Sequence, residues 1–437
     1  MFPAFPRAPR RLDAVAALAF AAASLLCTAG FAQSATPPLP LSLADALRLA
    51  QDRSRQLPAQ DAAVSAAREM AVAAGLKPDP VLKAGINNLP INGPDGLSLT
   101  RDFMTMRSLA VSQEFTRSDK LQARAARFER EAEVAQASRA LALAMLQRDT
   151  ALAWLDRYHQ ERLRALMAGQ RDEAALQIEA AEAAYRGGRG SLGDVLAARA
   201  AVARIDDLLL QIERQVAMAT TLLARWIGSA ASLPLGEAPT TDAVALRPAD
   251  LEGQLAHHPQ IEVLTLSEAV AQAEAQIAQS NKQSDWNVEV MYSQRGPAFS
   301  NMVSVNVSVP LQWNTQNRQD RELGAKLSLV AQMRAEREEA TRTHVAEATA
   351  MLQEWQGNRE RLHHYDKTLL PLTRERTRAV ATAYRSNTGT LGAVLEARRA
   401  EIETRVERLR LDMDTARLWA QLSYLIPAGR DMAASRR

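Results

Sequence analysis

The side chains with chemical capacity in this chain are a few carboxylates, imidazoles and thioethers, and their spacing is more telling than their number. Asp194 stands three residues after Ser191 in the segment Tyr185-Arg186…Gly190-Ser191-Leu192-Gly193. That segment is written again as Tyr384-Arg385…Gly389-Thr390-Leu391-Gly392, and Val195-Leu196, Ala198 and Arg199 return as Val394-Leu395, Ala397 and Arg398, always 199 positions on. Ser-x-x-Asp is a helix-capping box, whereas one carboxylate repeated around a symmetric pore makes an acidic ring that favours cations. Asp194 fits a cap alone or a cap that also lines a pore, and the sequence leaves both open. His257-His258 and His363-His364 suggest metal, but neighbours on a helix point about 100° apart, so polar contacts are the expectation. Met104 and Met106 are candidates as soft ligands for copper(I) or silver, and are otherwise expected to face lipid. No nucleophile–base pair and no carboxylate pair with a pocket is present. Gly187-Gly188-Arg189-Gly190 lacks the preceding strand and the following Lys-Ser/Thr of a phosphate loop. The chain reads as a non-enzyme with no cofactor.

The elements that must carry these residues are long helices. Ser42 and Asp45 form a capping box opening an Ala-rich helix to about Gly75, which Lys77-Pro78-Asp79-Pro80 stops. A helical pattern from about Arg117 to Arg186 is long enough for about 100 Å. The glycine turn then reverses it into a seam of Val202, Ile205, Leu209, Ile212, Val216, Ala219, Leu223 and Trp226, stepping three and four. Residues 229–249 read as a linker. The programme then repeats: a short helix from Asp250, a non-helical segment, a long helix from about Gln316 to Tyr384, the second turn, and a seam through Ile402, Val406, Leu409 and Met413. The expected organisation is a leader at 1–32, a first repeat at 33–228, a second at 250–427 and a polar tail at 428–437.

The non-helical segments read as strands. Val303, Val305, Val307 and Val309 alternate with polar residues, and Trp286, Val288, Val290 and Tyr292 do the same on the preceding run. Each strand is expected to reach about nine to eleven residues, enough to cross a tilted bilayer path. The region 81–115 is less regular; its two strands are expected partly by analogy with 285–311. Four strands cannot close a barrel, and an open edge facing lipid is not viable. The expectation is therefore an α+β membrane protein built by internal tandem duplication, with three chains contributing four strands each to a twelve-stranded β-barrel.

Composition and targeting agree. Arg7, Arg10 and Arg11 precede an apolar run at 14–26, too short for a comfortable span, and Gly30-Phe31-Ala32 fits a cleavage site before Gln33. Leu26 before Cys27 argues against lipidation. Cleavage would remove the only cysteine and, with Arg7, Arg10, Arg11 and Asp13, a net +2, leaving +1 of the formal +3. A nearly neutral chain without a clustered basic face excludes nucleic acid as a partner.

Over essentially the whole mature chain, the sequence resembles the TolC family of outer-membrane efflux proteins, whose turn signature is matched at Tyr185–Arg199 and Tyr384–Arg398. The resemblance implies an outer-membrane trimer, a long periplasmic α-helical barrel continuing the β-barrel, a periplasmic adaptor, an inner-membrane RND pump and contact with outer-membrane lipid. It places the gate at the tip, with Tyr185, Tyr384, Asp194 and Glu396 as candidates. The family's gate arginine and first aspartate fall on Gly389 and Ala393. Gly190-Ser191-Leu192 and Gly389-Thr390-Leu391 would be the adaptor-docking turns. Asn88-Leu89-Pro90, Gly93-Pro94-Asp95, the run 99–107 and Gln113-Glu114-Phe115 look like heavy-metal efflux members similar to CzcC, implying cation export. The alternative is a multidrug or type I secretion channel. A periplasmic adaptor would need a lipoyl-like module flanking one hairpin. A soluble coiled-coil scaffold would not need alternating strands.

Overall fold

The computed structural model describes residues 40–247 and 250–426. The leader with Cys27 and its cleavage site, Pro37, Pro38, Pro248 and the polar tail lie outside the described residues. Helices α1 (Leu43–Arg53) and α2 (Gln56–Ala74) come first. They are expected as one helix, but Ser54 adopts an extended backbone and its hydroxyl accepts the Leu57 N–H at 3.3 Å, capping a new start. Strands β1 (Val81–Asn87) and β2 (Met106–Phe115) follow, then α3 (Ser118–Arg186), an unbroken 69-residue helix, and α4 (Leu192–Ile227). After the linker come α5 (Leu251–Leu255), α6 (Pro259–Ser280), β3 (Trp286–Gln294) and β4 (Met302–Ser308).

The second long helix is not continuous. It runs as α7 (Gln319–His364), a π-turn at Tyr365–Leu369 and α8 (Leu370–Arg385), before α9 (Leu391–Ser423). Pro371 explains the interruption: it has no N–H for the Lys367 carbonyl, and its ring pushes that carbonyl away. Arg408 Nε and Nη2 grip Asp366 at 3.0 and 3.2 Å, and Tyr365 Oη donates to Glu407 at 3.2 Å, so α9 holds the loosened turn.

One antiparallel sheet runs in the order β1-β2-β3-β4, so the two repeats meet through β2 and β3. The register sorts the faces. Leu82, Val111, Val290 and Val305 form one cross-strand row, and Ala84, Leu109, Tyr292 and Val303 the next. On the other face Ser112, Glu289 and Asn306 share a row, Ser108 neighbours Ser293, and Lys83 Nζ reaches Glu289 at 2.6 Å. The apolar face is solvent-exposed in the single chain, as Val303, Val305 and Val307 show. β1 and β4 are seven residues each, shorter than the length read from sequence. Pro80 before β1, Asn88 at φ 55° after it and Pro310 beyond β4 end their ladders.

Among the described residues no helix is long and apolar enough to cross a membrane. The largest core surrounds Trp154 and Leu155 on α3, where α1, the end of α4 and the end of α9 converge with Leu223, Ile227 and Ala420. Trp154 Nε1 donates to the Leu41 carbonyl at 3.3 Å. Arg157 donates to the Ala231 and Leu233 carbonyls and so holds the linker down. Of the eight residues of the expected α4 seam, Val202, Ile205, Ile212, Val216, Ala219 and Leu223 are buried, whereas Leu209 and Trp226 are half-buried.

Where the sheet joins α3, Asp285 accepts the Arg117 N–H at 3.0 Å and the Lys120 ammonium at 2.7 Å. The Lys120 and Asp285 side chains are only 6% and 17% exposed. Asp285→Ala strands a largely buried ammonium and should cost about 2–3 kcal/mol, read as a lower unfolding midpoint. Glu339→Ala, in the exposed pair with Arg342, should cost less than about 0.5 kcal/mol; equal losses would refute this ranking.

Candidate functional site

The two glycine turns are superimposable bond for bond. In the first, Gly187 N donates to Ala183 O, Gly188 N to Tyr185 O, and both Arg189 N and Gly190 N to Ala184 O, at 2.9–3.2 Å. In the second, Ser386, Asn387, Thr388 and Gly389 repeat those bonds to Thr382, Tyr384 and Ala383 at 2.9–3.1 Å. The left-handed residue is Gly188 (φ 68°) in one copy and Asn387 (φ 64°) in the other, the two types that tolerate it best. Gly190 and Gly389 are needed for close approach instead: an added Cβ would lie 3.2 Å from the Cβ of Ala184 or Ala383.

Each turn then caps a helix. Ser191 Oγ accepts the Asp194 N–H at 3.1 Å, and Asp194 Oδ2 accepts the Ser191 N–H at 2.9 Å, closing the capping box. That N–H, and then the Ser191 hydroxyl, hold the Asp194 carboxyl below its ordinary pKa, so it stays charged. Thr390 caps Ala393 N at 3.3 Å, but Ala393 offers no reciprocal carboxylate. Glu396 is exposed and receives Arg376 at 3.3 Å.

The structure brings both turns together. Ala181, Val195 and Ala198 of the first hairpin share a core with Leu391 and Val394 of the second, with Tyr384 and Leu395 packed against it. Arg398 of α9 pairs with Glu173 of α3, whereas Arg199 pairs within its own hairpin with Glu182 at 2.7 Å. Tyr185 is exposed while Tyr384 is half-buried. An open groove of about 630 Å³ runs between α4 and α9 above α3, lined by Gln170, Ala197, Arg204, Glu396, Arg399 and Glu403 among others. Sequence reasoning missed this groove, because it depends on how far apart two helices sit rather than on any local pattern.

The metal candidates are scattered. Met104 lies in the loop between β1 and β2, where its N–H is held by Asp102, and Met106 opens β2. His257 is exposed, with Nδ1 on the Gly253 carbonyl at 3.1 Å. His258 is buried at the start of α6, where Nδ1 accepts the Gln260 N–H at 3.2 Å, and its ring lies against that of His344, tilted by 33° with 4.7 Å between centroids. Among the described residues no three His, Cys, Asp or Glu side chains form a group able to hold a metal ion.

No family model and no curated protein matches the sequence. The fold, however, is that of solved outer-membrane channels. The outer-membrane channel OprN is 16% identical with a TM-score of 0.74, covering 88% of this chain and 90% of that one. CusC, described as forming a transmembrane channel, is 15% identical with a TM-score of 0.76 over 89% and 92% of the two chains. The outer membrane protein VceC of Vibrio cholerae is 18% identical with a TM-score of 0.69 over 86% and 96%.

Burial, then His344 and Arg148, push the His258 pKa from 6.5 to about 4. The unfolded chain therefore binds a proton that the folded chain refuses. Stability conferred by a neutral His258 is present above pH 6.5 and is lost as pH falls towards 4. His258→Asn keeps a capping acceptor and should abolish an acid-linked loss of about 2–3 kcal/mol, visible as a flatter plot of unfolding midpoint against pH. An unchanged slope would show that other groups carry it.

Proposed function

We propose that the chain is a TolC-family outer-membrane protein, the passive exit duct of a tripartite efflux system. Three copies close a twelve-stranded barrel whose polar face lines the lumen and whose apolar face meets outer-membrane lipid. The helices continue the tube into the periplasm, towards an adaptor and an inner-membrane RND pump that supplies the energy. The observation that carries this reading is the channel fold over nearly nine-tenths of the chain, with paired turns at the ends of both hairpins. A cleaved leader ending near Ala32, without lipid on Cys27, fits this location.

In this reading the turns form the periplasmic tip. Asp194, charged and fixed by its own cap, contributes a threefold ring of carboxylates at the constriction, with Glu396, Tyr185 and Tyr384 around it. The docking turns are Gly190-Ser191-Leu192 and Gly389-Thr390-Leu391, beside the groove between α4 and α9. The cargo we favour is a heavy-metal cation, on the resemblance of residues 88–115 and on the acidic tip. In this reading the metal is cargo that passes through the duct.

A strain lacking the chain should become sensitive to zinc, cadmium, cobalt, copper or silver and not to dyes, detergents or antibiotics. Sensitivity to organic compounds alone would keep the duct and overturn the cation cargo. In planar bilayers Asp194→Asn should lower cation conductance about 2–10-fold, since one charge per chain is lost from a narrow ring; an unchanged current would remove Asp194 from the pore. Gly389→Val should abolish export while trimers persist, because the clash with Ala383 lies in the turn and not in the helix seams. Loss of trimers would assign the turn to folding.

A further inference from the structure

The sheet register puts one charged side chain on the face where charge is least expected. Arg107 stands in β2 between Ile86 of β1 and Gln294 of β3. Alternate residues of a strand share a face, so Arg107 continues the apolar side of Leu109 and Val111 and of their partners Tyr292 and Val290. Lys83, Glu114 and Glu289 belong to the opposite side. Arg107 is half-buried, and its hydrogen bond to the Arg295 carbonyl is long at 3.4 Å. Its Nε is buried without a partner, and among the described residues no carboxylate pairs with it. The neighbouring cations are occupied: Lys83 by Glu289, Arg101 by Asp95, and Arg295 by the Phe103 carbonyl and the Phe299 ring. A half-buried guanidinium with one weak partner is costly as it stands. Its planar fork matches two oxygens of a phosphate at once.

The height of Arg107 on the sheet fits a lipid headgroup. Phe115 pairs with Trp286 at one end of the β2–β3 ladder and Arg107 with Gln294 at the other, eight residues away. At about 3.3 Å per residue that is about 26 Å of strand, or about 20 Å of depth at a tilt of about 40°. Exposed Phe115 and Trp286 mark one boundary of the apolar band, and exposed Tyr292 lies one row inside Arg107 at the other. A second copy would meet the β1 edge and not Arg107, whose row neighbours Ile86 and Gln294 are both of its own chain. The loops beside it are pinned, since Arg295 Nε donates to the Phe103 carbonyl at 2.9 Å and the buried Thr105 hydroxyl to the Asn88 carbonyl at 3.1 Å. We propose that Arg107 binds the phosphate of an anionic lipid in the leaflet nearest these loops, with the acyl chains lying along Leu109, Tyr292 and Val303. A phosphate monoester with net negative charge, of the lipid A kind, complements this lone cation; a zwitterionic headgroup brings its own.

The site rests on the proposed duct for the membrane around it, but its test is made on purified full chain in mild detergent. Titration with lipid A, followed by native mass spectrometry, should show saturable binding. Arg107→Gln should weaken that binding about 5–10-fold, and Arg107→Lys, which keeps the charge but not the fork, should lose less. Arg101→Gln, in the loop pair with Asp95, should change nothing. Undiminished binding by Arg107→Gln would overturn the site, and so would equal losses at Arg107 and Arg101, which would reduce the effect to general surface charge. Two measurements on the unaltered protein hold even if a variant fails to fold. Dephosphorylated lipid A or phosphatidylcholine binding as tightly as lipid A would leave only acyl-chain contact, and inorganic phosphate binding as tightly would make the occupant a free anion; each result overturns the proposal. Lipid A bound through Arg107 by a protein that is not recovered with the outer membrane would end the duct and keep the site. Recovery there without such binding would keep the duct and end the site.

Discussion

An antiparallel sheet of four strands has two open edges, and the rest of the molecule depends on what becomes of them. β1 and β4 each present a row of backbone N–H and C=O groups that no other strand among the described residues satisfies. Water can satisfy such groups, but hydrocarbon cannot, and each unsatisfied group there costs several kcal/mol. The same sheet has an apolar face and a polar one, so neither water nor lipid suits it alone. In the proposed duct, edge-to-edge closure with other copies would resolve both problems at once, by removing the edges and separating the faces into outside and lumen.

The helices inherit that geometry. α2 and α6 lead into β1 and β3, α3 and α7 come after β2 and β4, and the helices pack in the same order as the strands, α2 on α3, α3 on α6 and α6 on α7. The Lys120–Asp285 pair sits at one such junction and ties the beginning of α3 to the strand at the heart of the sheet. Farther along, small residues dominate the buried surface of α3, where Ala123, Ala132, Ala137, Ala142, Ala144 and Ala151 are all covered. Alanine lets helices approach closely and carries no rotamer entropy to lose.

Much of this was legible in the sequence because the local signals and the global fold agree. The α4 seam, the alternating valines of β4 and the two turns each obey a period or a cap that needs no tertiary context. The misses share a cause. Ser54 splits the first helix because a side chain competes with the backbone, and Pro371 loosens the second long helix although the hydrophobic pattern runs straight through it. The groove between α4 and α9 is set by interhelical distance, which residue types do not encode. Asp194 beside the first turn is readable as a cap, but a pore-lining role was not separable from it, because a cap and a pore lining require the same residue.

The duplicated turn also shows how one backbone motif can carry two different sets of side chains. Both copies keep the same backbone bonds, so both ends reverse the chain identically. They differ in side chains that do not affect the reversal: Asp194 against Ala393, and an exposed Leu192 against a buried Leu391. The second copy also follows a helix with a π-turn that α9 restrains through Arg408 and Glu407, whereas the first follows 69 unbroken residues. A turn fixed by its backbone leaves its side chains free to diverge. The first hairpin therefore pairs an unbroken α3 with a carboxylate cap, while the second pairs a helix carrying a π-turn with an uncharged cap and packs against the first.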